Sequence, residues 1–267
     1  MTEQGRLSAG TTPRIIAIQR LLAGGRWRVE AMRSISEPLL LWFTKGQGRA
    51  TVAGITRGYG PHNALFIPAG TMYGFEANAQ VFGTAVFFGS SCTLPLPVTP
   101  LHLRIRDSGP QAELTGLIDA AQREIDSDRA GSARAVQHYL GLMSVWIERQ
   151  APQQAPQPTR AATRNLVERF SALLERDFRS GRGVADYAAD LDVTPTHLSR
   201  VCRTACGRPA HALVQDRVLF EARRLLAETK MPVNEVSRSL GFASAAYFTR
   251  AFTQHVGKTP SDFRKSL

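Results

Sequence analysis

Cysteine is scarce in this chain, and long apolar runs are missing. The only cysteines are Cys92, Cys202 and Cys206, too few and too badly placed for a disulfide framework. Cys202 and Cys206 lie one helical turn apart at apolar positions, so we expect core thiols rather than metal ligands. No stretch approaches the roughly 18 apolar residues of a membrane span, and residues 1–12 lack the apolar core of a secretory signal. We therefore expect a cytoplasmic protein with reduced thiols and no membrane partner.

Acidic residues are outnumbered, and the excess of cations is concentrated toward the C-terminus. The whole chain has a formal net charge of +11. Residues 160–267 contain 18 Lys and Arg against 11 Asp and Glu, a net charge of +7, whereas residues 1–159 contain 15 against 11, a net charge of +4. A local excess of cations is expected of a phosphate-binding surface, although charge alone also fits any basic, soluble surface.

The first hundred residues are patterned as strands. Trp27, Val29 and Ala31 alternate with polar residues, which predicts a half-buried strand. Short apolar segments at residues 39–43, 64–67 and 81–88 are separated by turns rich in glycine and proline. Many short strands between such turns predict a β-barrel or a sandwich.

Two amphipathic helices and a linker are predicted next. Apolar residues recur at intervals of three and four over residues 111–128 and 132–150, and Ser132 can cap the second helix. Residues 150–158 read QAPQQAPQP, which is typical of an extended, solvated linker. We therefore divide the chain into a domain over residues 1–150, a linker over residues 151–160 and a second domain over residues 161–267.

The last third of the chain contains one pattern twice. Residues 197–202 read HLSRVC and residues 247–252 read YFTRAF, so a hydroxyl residue precedes an arginine in both copies. Upstream, VADYAADL from residue 184 matches VNEVSRSL from residue 233, and downstream each copy reaches a glycine followed by a cation and a proline. A short helix, a tight turn and a second capped helix, present twice, predict two helix-turn-helix units.

The helices of this domain can be placed from their caps and apolar stripes. We expect a first helix over residues 163–178, short helices at residues 186–191 and 233–240, and second helices that begin after the N-caps Thr194 and Ser244. Pro195 suits the first helical position. A helix over residues 209–228 is about 30 Å long at 1.5 Å per residue. This length is close to the roughly 34 Å between successive major-groove faces of B-DNA, so the helix can set two units one turn apart.

Exposed positions of the second helix in each unit are the candidates for DNA contact. The buried stripes are expected to be Leu198, Val201, Cys202, Phe248, Ala251 and Phe252. The candidate contact residues on the other faces are Thr196, Ser199, Arg200, Arg203, Ala245, Ala246, Thr249 and Arg250. Arginine suits bidentate contact with guanine, Ser and Thr reach bases or phosphates, and alanine can contact a thymine methyl group. The alternative role for Arg200 and Arg250 is an ion pair within the domain.

Residues 165–264 resemble the AraC/XylS family of transcription regulators. The resemblance rests on GFAS at 241–244, YFTRAF at 247–252 and GKTPSDFR at 257–264. It implies that double-stranded DNA is bound through both units, usually to activate transcription, with RNA polymerase as a further partner. The family's base-contact positions correspond here to Thr196, Ser199, Arg200, Ala245, Ala246, Thr249 and Arg250. The alanines replace longer polar residues often found there, so base reading by the second unit is expected to depend mainly on Thr249 and Arg250.

The resemblance extends to the N-terminal half. Family members of this length commonly carry a cupin-like β-barrel that senses a small molecule, followed by helices that dimerise. Residues 60–71, GPHNALFIPAGT, resemble a strand and turn of that barrel, and Tyr73 stands at a position often held by histidine. The implied fold is an N-terminal cupin-like β-barrel with two helices, then an all-α domain of two helix-turn-helix units joined by a long helix. Aromatic residues that could line an effector pocket, or equally fill the core, are Trp27, Trp42, Phe66, Tyr73 and Phe75.

Histidine is too sparse in this half to favour metal chemistry. Only His62, His102 and His138 occur there, without a His-x-His pair, whereas a metal-dependent cupin enzyme needs several histidines and a carboxylate converging on one ion. We expect no enzyme activity, no cofactor and no metal. A metal-dependent cupin enzyme and a ligand-free structural barrel are the alternatives for this half.

The two amphipathic helices also predict a homodimer. Their apolar stripes include Leu114, Leu117, Ile125, Tyr139, Met143 and Trp146. If one stripe covers the barrel, the other leaves apolar surface for a partner subunit; alternatively, both pack on the same barrel. A dimer would couple two DNA-binding domains through their linkers.

Overall fold

The structure is a computed structural model that describes residues 11–23, 25–127, 129–153 and 161–266. The chain divides into two units, one drawn almost entirely from residues up to Pro158 and the other mainly from Thr159 onward. The first unit combines strands with two long helices, and the second is helical.

Two antiparallel sheets form the core of the N-terminal unit. The larger sheet contains, in spatial order, β1 (Arg14–Ala17), β7 (Phe82–Phe87), β2 (Leu39–Lys45), β5 (Asn63–Ile67) and β8 (Leu101–Arg104). The smaller sheet contains β4 (Ile55–Tyr59), β3 (Gly48–Val52) and β6 (Tyr73–Phe75). The strands predicted at residues 39–43, 64–67 and 81–88 are confirmed. The pairings among the described residues form two separate sheets, so the closed cupin-like barrel stays a prediction.

Strand β2 is apolar on both faces because each face meets a different layer. Leu39, Leu41 and Phe43 belong to a cluster that includes residues of the smaller sheet. Leu40 and Trp42 point the other way, into a cluster with the two long helices of this unit. A strand buried on both faces has a continuous apolar sequence rather than an alternating one.

Helices α3 (Ser108–Ile125) and α4 (Ser132–Gln150) agree with the two predicted amphipathic helices to within three residues. Leu114, Met143 and Trp146 are fully buried against the unit's own sheet, and Leu117 and Tyr139 pack partly against the same cluster. The idea that one stripe is left for a partner subunit is therefore wrong for most of these residues, and both helices cover the same sheet. Other apolar side chains of α4 do remain exposed: Leu142 by 51% and Val145 by 37%.

The strand predicted around Trp27, Val29 and Ala31 is wrong. Two short helices lie here, α1 (Ile18–Leu22) and α2 (Trp27–Glu30). The backbone N–H groups of Val29 and Glu30 both donate to the carbonyl of Arg26, and Arg26 Nε lies 2.7 Å from Glu30 Oε1. Three alternating pairs are too few to distinguish a strand from one turn of helix.

Two boundary predictions also need correction. The N-cap of α4 is Gly131 in the left-handed region, and Ser132 is the first helical residue, with its hydroxyl donating to the Arg129 carbonyl. The predicted extended linker begins with a 3-10 turn over Ala151–Gln153. Residues 154–160 of that linker lie outside the described residues.

Seven helices form the described part of the C-terminal unit. They are α5 (Ala161–Asp177), α6 (Val184–Asp190), α7 (Pro195–Cys206), α8 (Ala210–Glu228), α9 (Val233–Ser239), α10 (Ala245–Val256) and α11 (Pro260–Lys265). The predicted caps are confirmed: Thr194 Oγ1 and Ser244 Oγ each accept a backbone N–H at 3.1 Å. Helix α11, capped by Thr259, was not predicted.

A buried ion-pair network fastens α5 and its following loop to α8. Arg217 Nε lies 2.6 Å from Glu175 Oε2. Glu221 Oε1 lies 2.6 Å from Arg179 Nη2 and 2.7 Å from Arg224 Nη2. Burial alone raises the pKa of Glu221, but the hydrogen bond from Arg224 and the charges of the surrounding arginines outweigh it and lower the pKa to about 2. The carboxylate is thus held in its charged form within the helical unit.

Candidate nucleic-acid interface

The two helix-turn-helix units share their turn geometry as well as their sequence pattern. The C-cap residue of α6 is Leu191, with φ −100° and ψ 2°, and the C-cap residue of α9 is Leu240, with φ −103° and ψ 10°. The next residue is left-handed in both units, Asp192 with φ 56° and Gly241 with φ 75°. The sequence repeat is therefore a repeat of backbone conformation.

One residue accounts for the change of offset between the copies. Val193 donates its N–H to Ala188 at 3.0 Å, and the equivalent Phe242 donates to Ser237 at 3.2 Å. The N-cap follows Val193 directly, whereas Ala243 stands between Phe242 and its N-cap. The second turn is thus longer by one residue, without loss of the shared hydrogen bond.

The buried faces of α7 and α10 hold each unit together. Leu198, Cys202, Phe248 and Phe252 are fully buried, and Val201 is buried, as predicted. The exception is Ala251, which is only half-buried.

The cysteines of α7 belong to this core. Both Cys202 and Cys206 are buried free thiols, and the Cys206 thiol donates to the Cys202 carbonyl at 3.2 Å. Burial raises the pKa of Cys202 to about 12 and also raises the pKa of Cys206. The prediction of core thiols is confirmed, and neither sulfur is a reactive thiolate.

The predicted contact positions lie on the outer faces of α7 and α10. The exposed ones are Thr196, Arg200, Arg203, Ala245, Ala246 and Arg250, and the half-buried ones are Ser199 and Thr249. Arg200 Nη2 lies 3.0 Å from His197 Nδ1. Within the described ranges, no carboxylate pairs with Arg200, Arg203 or Arg250. The alternative of an internal ion pair therefore does not describe these arginines.

One exposed aromatic residue was not among the predicted contacts. Tyr247 is 55% exposed on α10, and its ring lies 5.9 Å from that of Phe242. It occupies the position equivalent to His197, three residues before Arg250. Helical periodicity places Tyr247 and Arg250 on neighbouring surface, which is the signal that sequence reasoning could have used.

The five aromatic candidates for an effector pocket do not come together. Trp42 and Phe66 belong to the cluster facing α3 and α4, whereas Tyr73 and Phe75 belong to the cluster shared by the two sheets. Trp27 is half-buried on α2. The five therefore do not line one shared pocket, because the larger sheet separates Trp42 and Phe66 on one face from the cluster that holds Tyr73 and Phe75 on the other.

His62 and His102 contact other side chains within this unit, whereas His138 is exposed on α4. His102 Nε2 lies 3.1 Å from Asn63 Oδ1, and burial, with the charge of Arg57, lowers the pKa of His102 to about 4. The His62 ring lies 5.9 Å from that of Trp42. The described residues contain no cluster of three or more His, Cys, Asp or Glu that could hold a metal ion, nor a helix of the length and apolar character that crossing a membrane requires.

Comparisons with known proteins agree with the geometry of the helical unit. A family model described as a helix-turn-helix domain matches residues 187–266. The chain is 22% identical over 231 residues to the Msm operon regulatory protein of Streptococcus mutans, covering 84% of this chain and 82% of that protein. It is 33% identical over 81 residues to the arabinose operon regulatory protein of Escherichia coli, covering 30% of this chain and 28% of that protein. The solved structure of wild-type ToxT from Vibrio cholerae, with an unsaturated fatty acid bound, covers 97% of this chain and 97% of its own, at 11% identity and a TM-score of 0.45.

These matches identify the class of the helical unit. The C-terminal unit is a helix-turn-helix DNA-binding domain. The relatives found by the sequence comparison are operon regulatory proteins, which are transcription regulators rather than enzymes. The match to the arabinose regulator spans less than a third of that protein's length, so its other activities do not transfer with the domain.

Proposed function

We propose that this protein is a sequence-specific transcription regulator that reads two successive major-groove faces of DNA with α7 and α10. The observation that carries the proposal is the matched pair Arg200 and Arg250. Each is exposed, each follows a hydroxyl residue, and each lies on a capped helix whose opposite face is buried. An arginine in this setting can donate two hydrogen bonds to guanine O6 and N7.

The two helices divide the reading unequally. Helix α7 offers Thr196, Ser199, Arg200 and Arg203, whereas α10 offers Thr249 and Arg250 beside the small residues Ala245 and Ala246. Polar side chains of α7 can make several hydrogen bonds, while the alanines of α10 suit thymine methyl groups. We therefore expect the half-site read by α7 to be the more stringent.

The N-terminal unit is proposed to be a cupin-like sensor over residues 1–150, tethered by the linker at 151–160 to the DNA-binding domain at 161–267. In this proposal the unit binds an unidentified small molecule, and the protein activates transcription through contact with RNA polymerase. Support comes from the Msm operon regulatory protein, whose similarity covers both halves of the chain. The homodimer is retained with a different surface, the exposed face of α4 that carries Leu142 and Val145.

Selection of duplexes from a random pool by the full chain tests the proposal. Wild-type protein is expected to enrich two short motifs about one helical turn apart. Affinity for DNA should fall steeply between about 50 and 200 mM salt, because the lysine and arginine side chains of the bound protein displace counterions from the phosphates. A pool without enrichment, or binding that does not respond to salt, would contradict the assignment.

A further inference from the structure

A backbone contact between two glycines links the loop before the first helix-turn-helix unit to the turn of the second. Gly181 lies in the loop between α5 and α6, just before the first unit, and Gly241 lies in the turn between α9 and α10 of the second unit. Both have φ +75°, in the left-handed region where glycine is favoured. Gly181 precedes the first copy of the repeat by three residues and Gly241 lies within the second copy, so their contact joins the loop that leads into the first unit to the turn of the second.

The contact leaves no space for a side chain on either glycine. A Cβ atom on Gly181 would lie 2.5 Å from the carbonyl oxygen of Gly241. A Cβ atom on Gly241 would lie 2.7 Å from the carbonyl oxygen of Arg179, and closer still to the nitrogen of Gly181. Because the opposing atoms are backbone, a side chain at either position must displace one segment from the other.

Both segments are anchored to their own units. The side chain of Arg179 reaches Glu221 of α8 at 2.6 Å, and Arg182 bridges Asp177 at 2.9 Å and Asp190 at 2.7 Å. On the other side, the N–H of Gly241 donates to Arg238 at 3.1 Å. A displacement at the contact is therefore transmitted to the helices rather than absorbed by a loose loop.

Side chains do not fill the space beside the contact. A cavity of about 430 Å³ adjoins it, lined by both glycines and by residues that include Val184, Val218, Phe242 and Tyr247. Since this volume is open, the backbone contact is the close approach that fixes the separation of the segments on this side of the unit.

We propose that Gly181 and Gly241 are positioning residues that set the spacing between α7 and α10, and so the base-pair spacing at which both helices can bind. Helix α10 begins four residues after Gly241, directly beyond the turn that contacts the loop between α5 and α6. The inference rests on the proposed reading of DNA by both helices. Moving this turn changes where Arg250 meets the groove without changing which base it prefers.

Alanine substitutions with matched controls separate spacing from backbone strain. Gly181→Ala and Gly241→Ala introduce both strain and the clash. Gly207→Ala and Gly257→Ala place alanine at φ +71° and +76°, with no atom within 4 Å of the added Cβ. Each full-length variant is used to select duplexes from one random pool, and the distance between enriched half-sites is measured alongside a thermal melt.

The expected result is a change in spacing with both motifs retained. Gly181→Ala and Gly241→Ala should enrich the wild-type motifs over a broader or shifted range of separations. They should bind the wild-type spacing about tenfold more weakly, comparable with one mismatched base pair. The two control variants should keep the wild-type spacing even if their melting temperatures fall.

Three outcomes overturn the inference. Unchanged spacing in Gly181→Ala and Gly241→Ala removes the positioning role. Loss of folding in both variants, when Gly207→Ala folds, assigns the contact to the fold instead. If the duplexes selected by the wild-type protein contain a single motif, the proposed function of two DNA-reading helices is itself contradicted. That result is distinguishable from failure of the spacing proposal because it appears before any variant is made.

Discussion

The two helix-turn-helix units share one backbone conformation, but they differ in the residues that stabilise it and in the side chains that they expose. In the first unit, Asp192 takes the left-handed turn position and α7 presents polar side chains. In the second, Gly241 takes that position, and α10 presents alanines above an aromatic core. The difference teaches that the shared hydrogen bonds and caps define the unit, while the residues at the turn and on the outer face are free to specialise.

Substitutions in the buried cores of the two units should have the largest effects on the free energy of unfolding. Phe248 packs edge-on or tilted against Phe242 and Phe252, with ring centroids 5.1 and 5.7 Å apart. Phe248→Ala is expected to lower the free energy of unfolding by about 3–5 kcal/mol, and Leu198→Ala at the equivalent position by about 2–5 kcal/mol. Urea unfolding of the full chain measures both. A loss below about 1 kcal/mol for Phe248→Ala would show that the aromatic cluster does not support the second unit.

Acid should act on the ion-pair network around α8. Because the pKa of Glu221 is lowered from 4.5 to about 2 in the folded protein, its stabilisation is complete above about pH 4.5 and is lost as the pH falls toward 2. The loss is expected to be about 3 kcal/mol. Unfolding measured from pH 6 to pH 2 should therefore depend less on pH in Glu221→Gln than in wild type.

The exposed Glu168 provides the control for the acid prediction. Glu168→Gln removes a carboxylate from the surface of α5 and should keep the pH dependence of wild type. Equal pH dependence in Glu221→Gln and wild type would assign the acid sensitivity to other groups.

Exchanging the turn residues should affect the units unequally. Asp192→Gly replaces a left-handed aspartate with the residue that accepts this conformation, and we expect a change below about 1 kcal/mol. Gly241→Asp adds strain and a clash with Gly181 and Arg179, and should destabilise by about 2 kcal/mol or more. Thermal unfolding of the two variants measures the asymmetry, and equal effects would show that the turns are interchangeable.

The helical unit could be predicted closely from sequence because its signals are local. Thr194 and Ser244 cap helices through N–H groups three residues away, so the pattern and the structure share the same short stretch of chain. The exposure of the candidate contact positions follows from the same periodicity. Helix α11 was missed because it is six residues long and too short to show an apolar period.

Long-range contacts explain what could not be predicted. Strand β1 is set by pairing of Arg14 with Phe87, and no local pattern reveals that partner. The aromatic candidates for an effector pocket lie on different sides of the larger sheet. Alternation along a strand shows that Phe66 and its neighbours point in opposite directions, but it does not show which layer of the fold each side chain packs against. The contact of Gly181 with Gly241 joins loops 60 residues apart in sequence, and only the folded chain brings them together.

The most direct test of the central claim is the base preference of the two arginine variants. Selection from a random duplex pool is run with full-length Arg200→Ala, Arg250→Ala and, as a matched loss of charge, Arg134→Ala on the exposed surface of α4. Each recognition variant should lose preference at one base position, in different half-sites, and bind its wild-type site about 1–3 kcal/mol more weakly. Arg134→Ala should retain every preference. If Arg200→Ala and Arg250→Ala both select the wild-type sequence with wild-type affinity, α7 and α10 do not read DNA through these residues.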